Sequence, residues 1–129
     1  PLRLLSDINK YKKFNHYLIT PYASFSKNIK SKIQSKNILD FGLQVKNKRF
    51  KFEKNYAVLP NALAISYALG VCTSGESREI FLAGLDGYTE NSPKKFEMDD
   101  LFQNYKLENK SITLSSLTPT NYKIKVLKV

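Results

Sequence analysis

Few residues of this chain have the chemistry to act alone. His16 is its only histidine and Cys72 its only cysteine. A Ser-His-Asp arrangement would depend on His16, and one His with one Cys cannot complete a Cys/His zinc site, so no metal is expected. Cys72 falls in an apolar stretch where a thiolate is disfavoured, which makes packing its expected role. The chain has no GxGxxG fingerprint and no P-loop, and no cofactor is expected. What remains is positional. Four apolar stretches end in polar turns: Thr20-Pro21-Tyr22, Leu59-Pro60-Asn61, Gly84-Leu85-Asp86-Gly87-Tyr88 and Thr118-Pro119-Thr120-Asn121-Tyr122. In an open parallel α/β sheet, ligands bind outside the carboxyl ends of the strands, so such turns would share one rim. The ligand-binding residues expected on that rim are Asn61, Gly84, Asp86, Gly87, Tyr88, Thr118 and Tyr122. Asp86, a carboxylate just past a buried strand, suits a hydroxyl or metal ligand, or a cap on its own turn. Asn61 opens an apolar helix whose free N–H groups and positive dipole end suit an anion. It serves equally as a plain N-cap, and Gly84 and Gly87 serve equally as tight-turn residues.

The elements that must position these residues alternate. Residues 1–14 read as a linker or peripheral segment, and 15–129 as a single α/β domain. His16 to Thr20 is a short strand stopped by Pro21. Phe25, Ile29 and Ile33 recur every four residues and predict an amphipathic helix from Ser24, broken at Asn37. Ile38 to Val45 reads as a strand bent at Gly42. Arg49 to Phe52 and Tyr56 to Leu59 read as strands joined in a hairpin through Glu53-Lys54-Asn55. Asn61 opens the most apolar helix, Ala62 to Cys72, expected to be buried on most sides with Ala64, Ala68 and Gly70 allowing close approach to a sheet. Glu79 to Gly84 is the clearest buried strand. Ser92-Pro93 starts a helix striped with Phe96, Met98, Leu101, Phe102 and Tyr105. Ile112 to Leu117 is the last well-marked strand, and Val126-Leu127-Val129 an edge element. This order predicts a three-layer Rossmann-like α/β domain with a mainly parallel central sheet, Ile80 to Leu82 in its middle.

Size and charge bound the reading further. A chain of 129 residues suits one domain. No apolar run reaches ~18 residues, so no membrane span is expected, and a cytoplasmic location fits. The chain opens on Pro1 rather than Met, as a processed chain or a fragment of a longer one would. Residues 1–60 hold 13 Lys/Arg against 3 Asp/Glu, whereas residues 61–129 hold 8 of each. The formal charge of +10 therefore sits wholly in the first half. That face would attract phosphate or an acidic partner. The cations are overwhelmingly lysine, which argues against nucleic-acid readout, where bidentate Arg is favoured. Lys27, Lys30 and the Lys46 to Lys51 cluster would make the rim an anion site if they lie beside it.

Two resemblances add to this. Leu59-Pro60-Asn61-Ala62-Leu63, Tyr67-Ala68-Leu69 and Ile80 to Tyr88, with Leu39-Asp40-Phe41-Gly42 and Leu117 to Tyr122, resemble in order the C-terminal α/β domain of bacterial aldolase-type proteins. Those proteins join it to an N-terminal barrel like that of hydroxymethylglutaryl-CoA lyase and 4-hydroxy-2-oxovalerate aldolase, and tend to be encoded at surface-polysaccharide loci. The resemblance implies an accessory or ligand-binding domain whose partner is the barrel of the parent chain. The metal ligands and catalytic groups of that family belong to the barrel, which nothing in this chain matches. Glu79, Ile80, Leu82, Gly84 and Asp86, with Asn61 at a helix start, are also similar to the nucleotide-sugar site of bacterial sialyltransferases and to an archaeal pterin diphosphokinase-like family. There Pro60-Asn61 replaces the usual Ser-Gly. This second similarity implies a nucleotide-sugar or phosphate-binding, transferase-like domain with an anionic ligand.

Overall fold

The computed structural model describes residues 16–33 and 37–127. Its contacts divide into two compact units, Pro1–Leu43 and Gln44–Val129. The expected linker, 1–14, lies outside the described residues.

The first unit is a short parallel pair joined through a helix. Strand β1 (Leu18–Thr20) pairs with β2 (Ile38–Asp40), Leu18 opposite Ile38 and Thr20 opposite Asp40. Between them run a 3-10 turn (Tyr22–Ser24) and helix α1 (Lys27–Lys32), shorter than the Phe25-Ile29-Ile33 period predicts. The Ser26 hydroxyl accepts the Ile29 N–H at 3.5 Å, and the side chains of Ile33 and Phe41 are buried. The Asp40 carboxylate accepts the Ala23 N–H through both oxygens, each at 3.2 Å. Lys30 donates to the Ala23 carbonyl at 2.9 Å and lies over the Tyr22 ring.

The second unit holds two three-stranded sheets, of which the first opens on a strand whose residues Gly42 and Leu43 belong to the first unit. In one, β3 (Gly42–Val45), β4 (Lys51–Phe52) and β5 (Tyr56–Leu59) lie in the order β3-β5-β4. The expected hairpin is present: β4 and β5 are antiparallel, and the Glu53 N–H donates to the Tyr56 carbonyl at 2.9 Å. In the other, β6 (Glu79–Leu82), β7 (Thr113–Ser116) and β8 (Lys125–Val126) are parallel in the order β6-β7-β8. The fold is thus mixed α/β with three small, mostly parallel sheets. One central sheet was expected, and β6 in its middle; among the described residues β6 is an edge strand and β7 the centre. Its burial pattern departs from expectation as well: Ile80 and Leu82 are buried, whereas Phe81 between them is half exposed. That is the alternation of a strand covered on one face, not of a fully buried one.

Two helices complete this unit, α2 (Ala64–Ser74) and α3 (Pro93–Glu108). The expectation that α2 is buried on most sides, with Ala64, Ala68 and Gly70 against a sheet, is corrected. It packs on β5 and β4 through Ser66, Leu69 and Gly70, a spacing of three and four that lines one side only. Ala64 and Ala68 are exposed; a methyl group exposes little apolar area, so their hydrophobic character says little about burial. Pro93 opens α3 as expected, and Met98, Leu101, Phe102 and Tyr105 form its buried stripe. Phe96, expected in that stripe, is 60% exposed, and Lys95 takes the place on the covered side with its ammonium on Asp99 at 2.7 Å. Tyr105 is the hub: its ring meets Phe50 and Phe52 edge-on, and its hydroxyl bonds that of Thr73 at 2.7 Å. Loop 117–124 joins parallel neighbours β7 and β8 with no helix, so β8 meets only Ser115 and Ser116 of β7.

Candidate functional site

The segments that follow β5, β6 and β7 each contribute to the lining of one cleft. Because β6 and β7 are parallel, their exits lie at the same end and bind each other. The Leu117 N–H donates to the Leu82 carbonyl at 2.8 Å. The Gly84 N–H donates to the Thr118 hydroxyl at 3.0 Å, and the Asn121 N–H to the Asp86 carbonyl at 2.8 Å. Gly84 and Gly87 hold φ of +71° and +100°, values that an L side chain resists. At Gly87 the need is doubled, since a Cβ there would stand 2.9 Å from the Cβ of Asn121.

The cleft is about 540 Å³ and is lined by Leu63, Ala64 and Ile65 at the start of α2, Gly84 to Tyr88 after β6, Lys94, Glu97 and Met98 of α3, and Tyr122. Five of the seven residues expected from sequence thus line it: Gly84, Asp86, Gly87, Tyr88 and Tyr122. The other two stand behind the lining. Thr118 holds the Gly84 N–H. Asn61 accepts the Leu63 N–H at 3.3 Å and a short bond from the buried Ser66 hydroxyl, and donates to Glu97 at 3.3 Å. Asn61 is therefore the brace of the α2 start rather than a wall residue. The turn Thr20-Pro21-Tyr22, with Lys27 and Lys30, belongs to the first unit.

The wall's electrostatics are mixed. Lys94 lies over the Tyr88 ring, 5.6 Å from its centroid, and is the one cation in a lining that also holds the carboxylates of Asp86 and Glu97. Tyr122 is buried against Phe102, ring centroids 5.4 Å apart. Burial pushes the Tyr122 phenol above its usual pKa, and a hydrogen bond with the Tyr88 backbone partly offsets this. The hydrogen bond to Asp99 holds the Lys95 ammonium above its usual value. The basic turn Lys46-Asn47-Lys48-Arg49 is set at the carboxyl end of β5, where the Lys46 N–H donates to the Leu59 carbonyl at 2.9 Å. None of its side chains lines the cleft.

Lys94, Glu97 and Met98 were missed in the sequence. Their signal was present, since a helix starting at Pro93 just past the Gly84 to Tyr88 turn must bring its first two turns near that rim. Among the described residues no three His, Cys, Asp or Glu side chains gather as metal ligands, and no helix is long and apolar enough to cross a membrane. Comparison with family models, curated proteins and solved structures found no match.

Proposed function

We propose that this chain is the accessory, ligand-binding C-terminal domain of a cytoplasmic aldolase-type protein of surface-glycan metabolism, without an aldolase active site of its own. The observation that carries the binding role is one cleft lined by segments that follow β5, β6 and β7, with Gly84, Asp86, Gly87, Tyr88 and Tyr122 among them. Motif order from Leu59 to Tyr122 supports the aldolase-type assignment, and with it a barrel of the parent chain as partner. The parallel run β6-β7-β8 supports placing the domain among Rossmann-like, three-layer folds.

A second reading, a nucleotide-sugar or phosphate-binding domain of the transferase kind, is favoured by the start of α2 in the cleft wall. Two carboxylates against one lysine in that wall favour the first reading, because a diphosphate calls for several cations. A thermal-shift screen of nucleotides, sugar phosphates and neutral sugars tests both. A ligand at ~100 times its dissociation constant stabilises by about 2.7 kcal/mol. Stabilisation that disappears in Asp86→Ala supports the cleft as the binding site. Stabilisation by a cytidine nucleotide alone overturns the accessory reading in favour of the transferase-like one.

A further inference from the structure

Taking the cleft as a ligand site, as proposed above, we infer that its ligand is a neutral, hydroxyl-rich ring, a sugar unit without phosphate, seated against Tyr88 with hydroxyls donated to Asp86 and Glu97. The lining carries one lysine and two carboxylates, a formal balance against anions. Its lysine is engaged with the Tyr88 ring. The start of α2, which by itself would attract an anion, already faces a carboxylate, because Asn61 at that start donates to Glu97. Neither Asp86 nor Glu97 forms an ion pair among the described residues. Ionised carboxylates only accept hydrogen bonds, so Asp86, and Glu97 beyond the oxygen that Asn61 reaches, can take further donors, and vicinal hydroxyls supply them in pairs.

The rest of the wall is apolar: Leu63, Ile65, Leu85 and Met98. Tyr88, 43% exposed and with Lys94 over one face of its ring, leaves the other face as an aromatic surface. A pyranose has this same division, with C–H groups on a face and hydroxyls around the edge, and a tyrosine offers a large rigid surface for that face. The volume, about 540 Å³, falls among those of small-molecule sites. Lys94 beside the ring disfavours an ammonium ligand there.

The test is a titration of the 15N-labelled chain with neutral disaccharides (cellobiose, lactose and chitobiose) and, in a parallel arm, with hexose phosphates. Neutral sugars are expected to move the amides of Gly84 to Tyr88 and Leu63 to Ile65. Asp86→Asn and Tyr88→Ala, both at exposed positions, are each expected to weaken binding about tenfold with the melting temperature held, the loss of one charge-assisted or stacking contact. Shifts at these amides from hexose phosphates alone overturn the inference and leave the cleft a ligand site. Full affinity in both variants overturns it as well. Silence of these amides in both arms overturns the inference together with the ligand-site reading.

Discussion

At the scale of single residues, the cleft depends on two glycines with different reasons to be glycine. Gly84 has only its backbone to satisfy: φ is +71° and an added Cβ would meet nothing within 4 Å. Gly87 has both a φ of +100° and a neighbour, the Cβ of Asn121, at 2.9 Å. Gly84→Ala is expected to cost about 1–2 kcal/mol, the left-handed penalty. Gly87→Ala adds overpacking and is expected to cost about 2–5 kcal/mol. Urea denaturation of the two variants measures the difference, and equal costs would contradict the close approach. Asn121→Gly in the Gly87→Ala background is expected to restore the packing share and leave the backbone strain. Both glycines were legible in the sequence as turn residues. Their inequality was not, because it comes from Asn121, more than thirty residues further along the chain.

At the scale of elements, α2 shows which part of an apolar helix stabilises. Leu69 is 1% exposed on the side facing β5, whereas Ile65 is only half buried and lines the cleft. Leu69→Ala is expected to cost ~2–5 kcal/mol, and Ile65→Ala clearly less. Thermal or urea unfolding decides this, and equal costs would mean that the helix is wrapped on both sides. The elements themselves were legible. Tyr56 to Leu59, the Glu53-Lys54-Asn55 hairpin and the Pro93 helix start are set by local patterns of alternation, turn residues and capping. The partition of strands into separate sheets was not legible. It depends on pairings between strands far apart in sequence, Glu79 of β6 opposite Thr113 of β7, and on β8, only two residues long. Of the four turns expected on one rim, those after β6 and β7 meet because the two strands are parallel, whereas the turn after β1 belongs to the first unit.

At the scale of the whole molecule, the resolved pKa shifts point one way. Lys51 is raised by its hydrogen bond with Glu53, Lys95 by that with Asp99, and Tyr105 and Tyr122 by burial. A group with a raised folded-state pKa binds its proton more tightly when folded. Its contribution to stability is complete below the unfolded value and is lost as pH rises through the folded one. Unfolded Tyr and Lys titrate near ~10. Stability is therefore expected to hold through neutral pH and to fall as pH rises past ~10. Denaturation midpoints across that range check this. Phe substitutions at Tyr105 and Tyr122 are expected to flatten the alkaline fall, and an unchanged slope would remove the tyrosines from the account. The Lys51 pair is exposed and adds little to it.

The absence of a helix between β7 and β8 has a mechanical consequence. Parallel neighbours ordinarily need a crossover of a dozen residues or more, and loop 117–124 spans only the carboxyl end of β7. The Leu127 N–H is anchored to the Ser116 carbonyl at 2.8 Å, and three residues before β8 stands Tyr122, which lines the cleft together with Tyr88. Tension along β8 thus has a direct line to the cleft wall, with no helix between to absorb it. Tyr122 lines the cleft three residues before β8 begins, so a displacement of β8 is passed to the cleft wall through a short stretch of chain.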